Sequence, residues 1–160
     1  MIKKDGGFTL IELMIVIEII AIMAAIAVPN MMRLRIQSNH VNAIGNLSTV
    51  VKAQAAFAHA ERGYAGSWFS LRDEPLSLDQ PPYINQDFSV PVSGYMFTIE
   101  PFGNAVNTSS GVDGTSDFHI WADPSNAGKW GSGIYHYFVD ASGVIRFDRE
   151  NQADETSDVL

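Results

Sequence analysis

Two carboxylates stand where carboxylates are costly. Glu12 and Glu18 are the only charged residues among the 25 positions from Phe8 to Met32, a stretch that also holds seven Ile. An acid at mid-bilayer costs on the order of 2.5–3.5 kcal/mol, and each large aliphatic residue offsets roughly 0.3–0.6 kcal/mol. The apolar surplus permits insertion, yet a buried carboxylate is stable only when paired. The chemistry open to these acids is therefore ion pairing in a water-poor setting. Glu18 lies six residues beyond Glu12, about 600° of helical rotation, so the two face different sides. No basic residue lies inside the stretch. For Glu18 the plain reading is a protonated acid or one turned into a helix–helix contact; the sharper reading is a second polar contact with a partner subunit.

Other reactive side chains are sparse. His119 and His136 fall on neighbouring expected strands and could share a metal, although ordinary sheet positions explain them as well. His40 and His59 are too far apart on a helix to share a site. Asp113-Gly114-Thr115-Ser116-Asp117 offers oxygens of the kind calcium prefers, and equally reads as a turn between strands. Ser, His and Asp occur without a recognisable nucleophile context, and no phosphate-binding glycine motif is present. The absence of cysteine excludes disulfides, Cys-ligated zinc and thiol chemistry. A net charge of −8 and a pI near 4.7 argue against nucleic-acid binding as a main role. The residues thus support a non-enzymatic protein with no cofactor and no firm metal site, Asp113 and Asp117 being the weak calcium candidates.

Several elements must position these groups. Residues 8–32 are long enough to span a bilayer. The apolar run is about twice that of a secretory signal, and the small pair Gly6-Gly7 precedes it rather than follows it. Residues 33–63 predict an amphipathic continuation, with Leu47, Val50, Val51, Ala55 and Ala58 on one face and Gly63 as C-cap. A helix from Phe8 to about Arg62 would run ~80 Å, longer than any small globule contains. Residues 64–93 read as an irregular connection whose aromatic residues pack back on the helix. Residues 94–148 predict four strands, at 94–101, 117–122, 134–139 and 144–147, bounded by Gly, Pro and Asp. Residues 149–160 read as a loose acidic tail. The fold class is α+β: a long N-terminal helix on an antiparallel sheet.

The junction Gly7-Phe8-Thr9-Leu10-Ile11-Glu12-Leu13-Met14, after the short leader Met1-Ile2-Lys3-Lys4-Asp5-Gly6, closely resembles the type IV prepilin family. The resemblance implies that residues 1–7 are a cytoplasmic leader and that a membrane aspartyl peptidase cuts after Gly7. The same enzyme would methylate the new amine of Phe8. Glu12 matches the acid that pairs with a neighbouring subunit's amine, and Pro29 matches the helix-interior proline, a break or melting point because its ring removes a backbone hydrogen bond. Implied partners are identical or related pilin subunits, the prepilin peptidase, an inner-membrane assembly platform and the membrane itself. The implied path runs from a single-pass inner-membrane protein to an extracellular filament. The alternative within the class is a pseudopilin of type II secretion in a periplasmic pseudopilus; major pseudopilins carry a calcium site near the C-terminus. The alternative from another class is a membrane-anchored extracytoplasmic binding domain that never polymerises, for which Glu12 would serve no purpose. Many pilins close a C-terminal loop with a disulfide, which this chain cannot form.

Overall fold

The computed structural model describes residues 7–72, 81–108, 113–128 and 130–160. Its dominant element is helix α1, Leu10–Glu61, 52 residues long, or ~78 Å at 1.5 Å per residue. There follow β1 (Tyr64–Ala65), the short helix α2 (Trp68–Arg72), β2 (Tyr95–Asn107), β3 (Asp113–Pro124), β4 (His136–Val139), β5 (Arg146–Asp148) and β6 (Asp158–Val159). All strand pairings are antiparallel.

The helix is two rods in one. From Leu10 to about Met31 its side chains are exposed on every side. Beyond that point one face is buried: Ile36, Asn39, Ala43, Leu47, Val50, Gln54, Phe57 and Glu61 recur at three- and four-residue steps. This stripe differs from the expected one: Leu47 and Val50 belong to it, whereas Ala55 is exposed and Val51 and Ala58 lie at its edge. The larger side chain of Phe57 outcompetes the alanines for the core, because complete burial of such a ring stabilises by roughly 1.5–3 kcal/mol.

The helix ends one residue earlier than the Gly63 cap implies. Arg62 itself adopts the left-handed C-cap conformation (φ 69°) and donates its N–H to Ala58 O at 2.9 Å. Gly63 has a different role: a Cβ there would lie 3.1 Å from Val106 Cβ on β2 and 3.3 Å from Thr115 O, a tight fit in which those neighbours would have to shift by a few tenths of an ångström.

Among the described residues the sheet has six strands rather than four, two of them only two residues long. β3 is its hub. It pairs with β2 along its length, Tyr95 opposite Pro124 through Asn107 opposite Asp113. β1 and β4 therefore share its other edge, at Gly114–Thr115 and Ile120–Ala122 respectively. β2 does not stop at Pro101 as the sequence suggested. It continues to Asn107 with a bulge between Phe102 and Ala105, and Pro101 is tolerated because β2 is an edge strand. One sheet face sends Tyr95, Phe97, Phe118, Ile120, Ala122, Tyr137 and Val139 into a common core with Leu47, Val50 and Phe57 of α1. The connection after α1 closes this core. Tyr83 meets Phe57 edge-on at 5.4 Å, Phe88 meets Trp68 at 5.2 Å, and Ile84 is buried; residues 73–80, with Pro75, lie outside the described residues.

The C-terminal segment is packed, which corrects the loose acidic tail. β6 pairs with β5, and Leu160 N–H donates to Ile145 O at 3.0 Å. Ala153, 1% exposed, sits over the opposite sheet face, where Trp121 Nε1–H donates to its carbonyl at 3.0 Å. Gln152 Nε2 donates to Asp123 Oδ2 at 3.1 Å. Backbone polar groups need partners once apolar surface draws a segment inward, and this segment finds them.

Candidate assembly site

Phe8 precedes the helix and is 78% exposed. Thr9 is the N-cap, with extended backbone (φ −84°, ψ 151°). Its Oγ1 accepts the Glu12 N–H at 3.3 Å and donates to Glu12 Oε2 at 2.6 Å, and its own N–H donates to the same Oε2 at 2.8 Å. This is a reciprocal capping box. The positive end of the helix dipole favours a carboxylate at the same place. Glu12 therefore has an internal partner that is not a cation, and Thr-x-x-Glu ahead of an apolar run is its signal in the sequence. All three bonds leave Glu12 Oε1 without a hydrogen bond among the described residues. The tip of the rod thus presents a held carboxylate with one open oxygen.

Around this tip the helix is apolar on all sides, with Leu10 78% and Ile26 72% exposed. A helix of that character is covered by lipid or by other protein. Length and composition make α1 a helix able to cross a membrane. Glu18 projects from the same exposed segment, with no hydrogen bond or ion pair among the described residues. Pro29 lies inside α1, and the helix runs through it uninterrupted; the isolated chain shows no break there. The ring still removes one backbone donor, and flanking turns keep the helix continuous.

The remaining candidates do not converge. His136 lies opposite Asp123, its Nδ1 2.6 Å from Asp123 Oδ1. His119 is four positions away along β3, about 13 Å at 3.3 Å per residue. It stacks on Phe102 at 4.0 Å, with Nε2 3.3 Å from Glu155 Oε1. The Asp117 carboxylate accepts the N–H groups of Phe118 (2.7 Å) and Ala141 (3.2 Å), and so ties the turn at 140–143 to β3; residues 113–117 belong to that strand and not to a turn between strands. Asp113 opens β3, and its side chain lies outside the described residues. No group of three or more His, Asp or Glu among the described residues is placed to hold a metal.

A second polar cluster went unanticipated. It fixes the sheet to the rod just beyond the apolar span. Asn39 Nδ2 donates to Ser132 O at 2.7 Å. His40 Nδ1 lies 2.7 Å from Tyr95 Oη and 3.1 Å from Tyr137 Oη, and Tyr95 Oη donates to Tyr135 O at 3.0 Å. The tyrosine rings lie 5.0–6.1 Å from the imidazole. His40 Nε2 is buried without a partner among the described residues. Burial pushes the imidazole below its ordinary pKa, pushes the Tyr137 hydroxyl up to about 12 and the Tyr95 hydroxyl further still. Gly133 admits the arrangement, since a Cβ there would fall 2.3 Å from Tyr95 Oη. His40 alone on a helix gives no sequence signal; the tyrosines reach it from two strands and a loop.

Comparison with known proteins bears on the tip of the rod first. The family described as the prokaryotic N-terminal methylation motif matches residues 2–28. The chain is 44% identical over 62 residues to the type IV major pilin protein PilA of Myxococcus xanthus, covering 39% of this chain and 28% of that protein. It is 40% identical over 88 residues to the type IV wide pilus major component of Thermus thermophilus, covering 55% of this chain and 65% of that one. It is 28% identical over 134 residues to the type II secretion system core protein G of Pseudomonas aeruginosa, covering 79% of this chain and 90% of that one. The chain thus spans less than two thirds of the first two relatives. No solved structure matches it significantly. The chain carries a prepilin-type N-terminal motif, and its relatives are type IV pilus and type II secretion components.

Proposed function

We propose that this chain is a structural, non-enzymatic subunit that polymerises through α1 into a type IV pilus-like filament. Residues 1–7 serve as the leader, prepilin peptidase cuts between Gly7 and Phe8, and the Phe8 amine is methylated. Residues 8–32 hold the subunit in the inner membrane, leader inside, until an assembly platform moves it into the fibre. Residues 33–63 and the sheet form the head, and the connection over 64–93 lies at the fibre surface.

The observation that carries this reading is the tip of α1: an all-round apolar rod with one carboxylate, held by Thr9 and open at Oε1. In lipid, the capping box gives that acid two hydrogen-bond donors and the positive end of the helix dipole, which lowers the cost of burying it without supplying a counter-charge. In the polymer, sister rods replace lipid around the apolar surface, and a neighbour's Phe8 ammonium reaches Oε1. The pair neutralises both charges and sets the axial offset between rods. The capping box would serve a solitary anchor equally; what weighs against a non-polymerising binding domain is the open Oε1 beside the Gly7–Phe8 junction, at the tip of a rod apolar on every side.

A pseudopilus subunit is the second reading, favoured by the similarity to the type II secretion core protein over most of both chains. The same helix chemistry then builds a periplasmic fibre. Electron microscopy of sheared surface fibres, with mass spectrometry of the first peptide, tests the proposal. The expected result is fibres made of this chain, beginning at methylated Phe8. A native chain that keeps Met1 and forms no fibre would overturn both readings.

A further inference from the structure

We propose that Glu18 is a second assembly contact, pairing with the Arg33/Arg35 guanidinium groups of another copy of this chain. This rests on the filament reading and adds to it a contact separate from Glu12. Glu18, Arg33 and Arg35 are all exposed on α1, and none has a hydrogen bond or ion pair among the described residues. They cannot meet within one chain. They lie 15 and 17 residues apart on one continuous helix, about 22 and 26 Å along its axis. The residues one turn to either side of Glu18 are Met14, Ile15, Ala21 and Ile22, which donate nothing.

The charge count along the rod favours a second copy as the occupant. Trimming creates one ammonium at Phe8, only four residues from Glu12, and that ammonium can neutralise one acid. Glu18 is left over, as are two arginines at the far end of the same apolar segment. A copy shifted toward the leader end by about 22 Å brings its Arg33 level with Glu18, and one shifted by about 26 Å its Arg35; the two arginines point to different sides of the helix, so each copy offers Glu18 one of them. Guanidinium suits this place better than ammonium: it is weakly hydrated and grips a carboxylate through two parallel hydrogen bonds. Unpaired, each of these charges would be stranded as sister rods displace water and lipid.

The test uses the full chain in cells that assemble it. Glu18→Gln, and Arg33→Gln combined with Arg35→Gln, should each lower sheared filament yield by about tenfold or more, with membrane insertion unchanged. A chain without cysteine also allows a direct measurement that leaves the charges in place. Ala21→Cys combined with Gln37→Cys sets thiols one turn beyond Glu18 and Arg33. A short bis-maleimide should then give a ladder of covalent oligomers in sheared filaments, absent from either single variant. Filaments with no ladder, and full yield from Glu18→Gln, would mean a protonated acid or an unrelated partner; that result overturns this pairing and leaves the filament reading intact. No filaments from the unaltered chain would overturn both.

Discussion

Thr9 and Glu12 satisfy each other across the first turn of α1, each donating to and accepting from the other through contacts of 2.6–3.3 Å. Removing either partner should therefore have a graded effect. Glu12→Val loses the carboxylate altogether and should insert normally while filament yield collapses. Thr9→Val keeps the backbone N–H to Oε2 and loses the hydroxyl; it should cost about 1 kcal/mol at the helix start and impair assembly only in part. Membrane fractionation and shear yield read the two effects separately. Full yield from Glu12→Val would count decisively against charge pairing.

The Gly7–Phe8 bond lies in exposed chain just ahead of the helix, so a peptidase needs little unfolding to reach it. Replacing Gly7 with leucine should leave the precursor uncut and unmethylated, read by the mass of the intact chain. Normal trimming of that variant would remove the peptidase assignment.

His40 should make the helix–sheet junction acid-sensitive. Burial lowers its pKa in the fold from an ordinary value of 6.5, so the folded chain takes up the proton less readily than the unfolded chain. Stability is then fullest above the unfolded value and is lost as pH falls through about 6.5 toward the folded value. Protonation would put an N–H on both ring nitrogens, and Nε2 has no acceptor among the described residues. The thermal midpoint of the detergent-solubilised chain should drop between pH 7.5 and 5.5, and His40→Gln should flatten that drop relative to the unaltered chain. An identical pH profile in the variant would show that other groups govern it.

Trp121 ties the C-terminal segment down through its indole N–H to Ala153 O. Trp121→Phe keeps most of the ring surface and loses that bond, for a cost of about 1 kcal/mol. Amide exchange over residues 153–160 should quicken, while filament yield stays unchanged because the tip of α1 is untouched. Unaltered exchange would mean that β6 pairing and the segment's other contacts hold it without that bond.

Much of the rod was legible because its signals are local. An apolar run of this length, Thr-x-x-Glu at its start and a shift to mixed polarity near Arg33 each depend on residues within a few turns of one another. The strands at 94–101 and 117–122 were legible for the same reason: alternation has a period of two and needs no partner to be seen. The extension of β2 beyond Pro101 was not, because a proline is acceptable or ruinous according to whether the strand has a neighbour on that side.

The sequence by itself determined that this chain carries a membrane-length apolar helix, a charged tip and a β-rich head. Tertiary structure alone decided where the head grips the helix and what becomes of the acidic tail. His40 meets tyrosines 55 and 97 residues away, and the buried Ala153 accepts from the indole of Trp121, 32 residues earlier on β3. Such contacts arise from the global packing of apolar faces, which brings distant polar groups together and then obliges them to find partners. Local pattern carries no record of that choice.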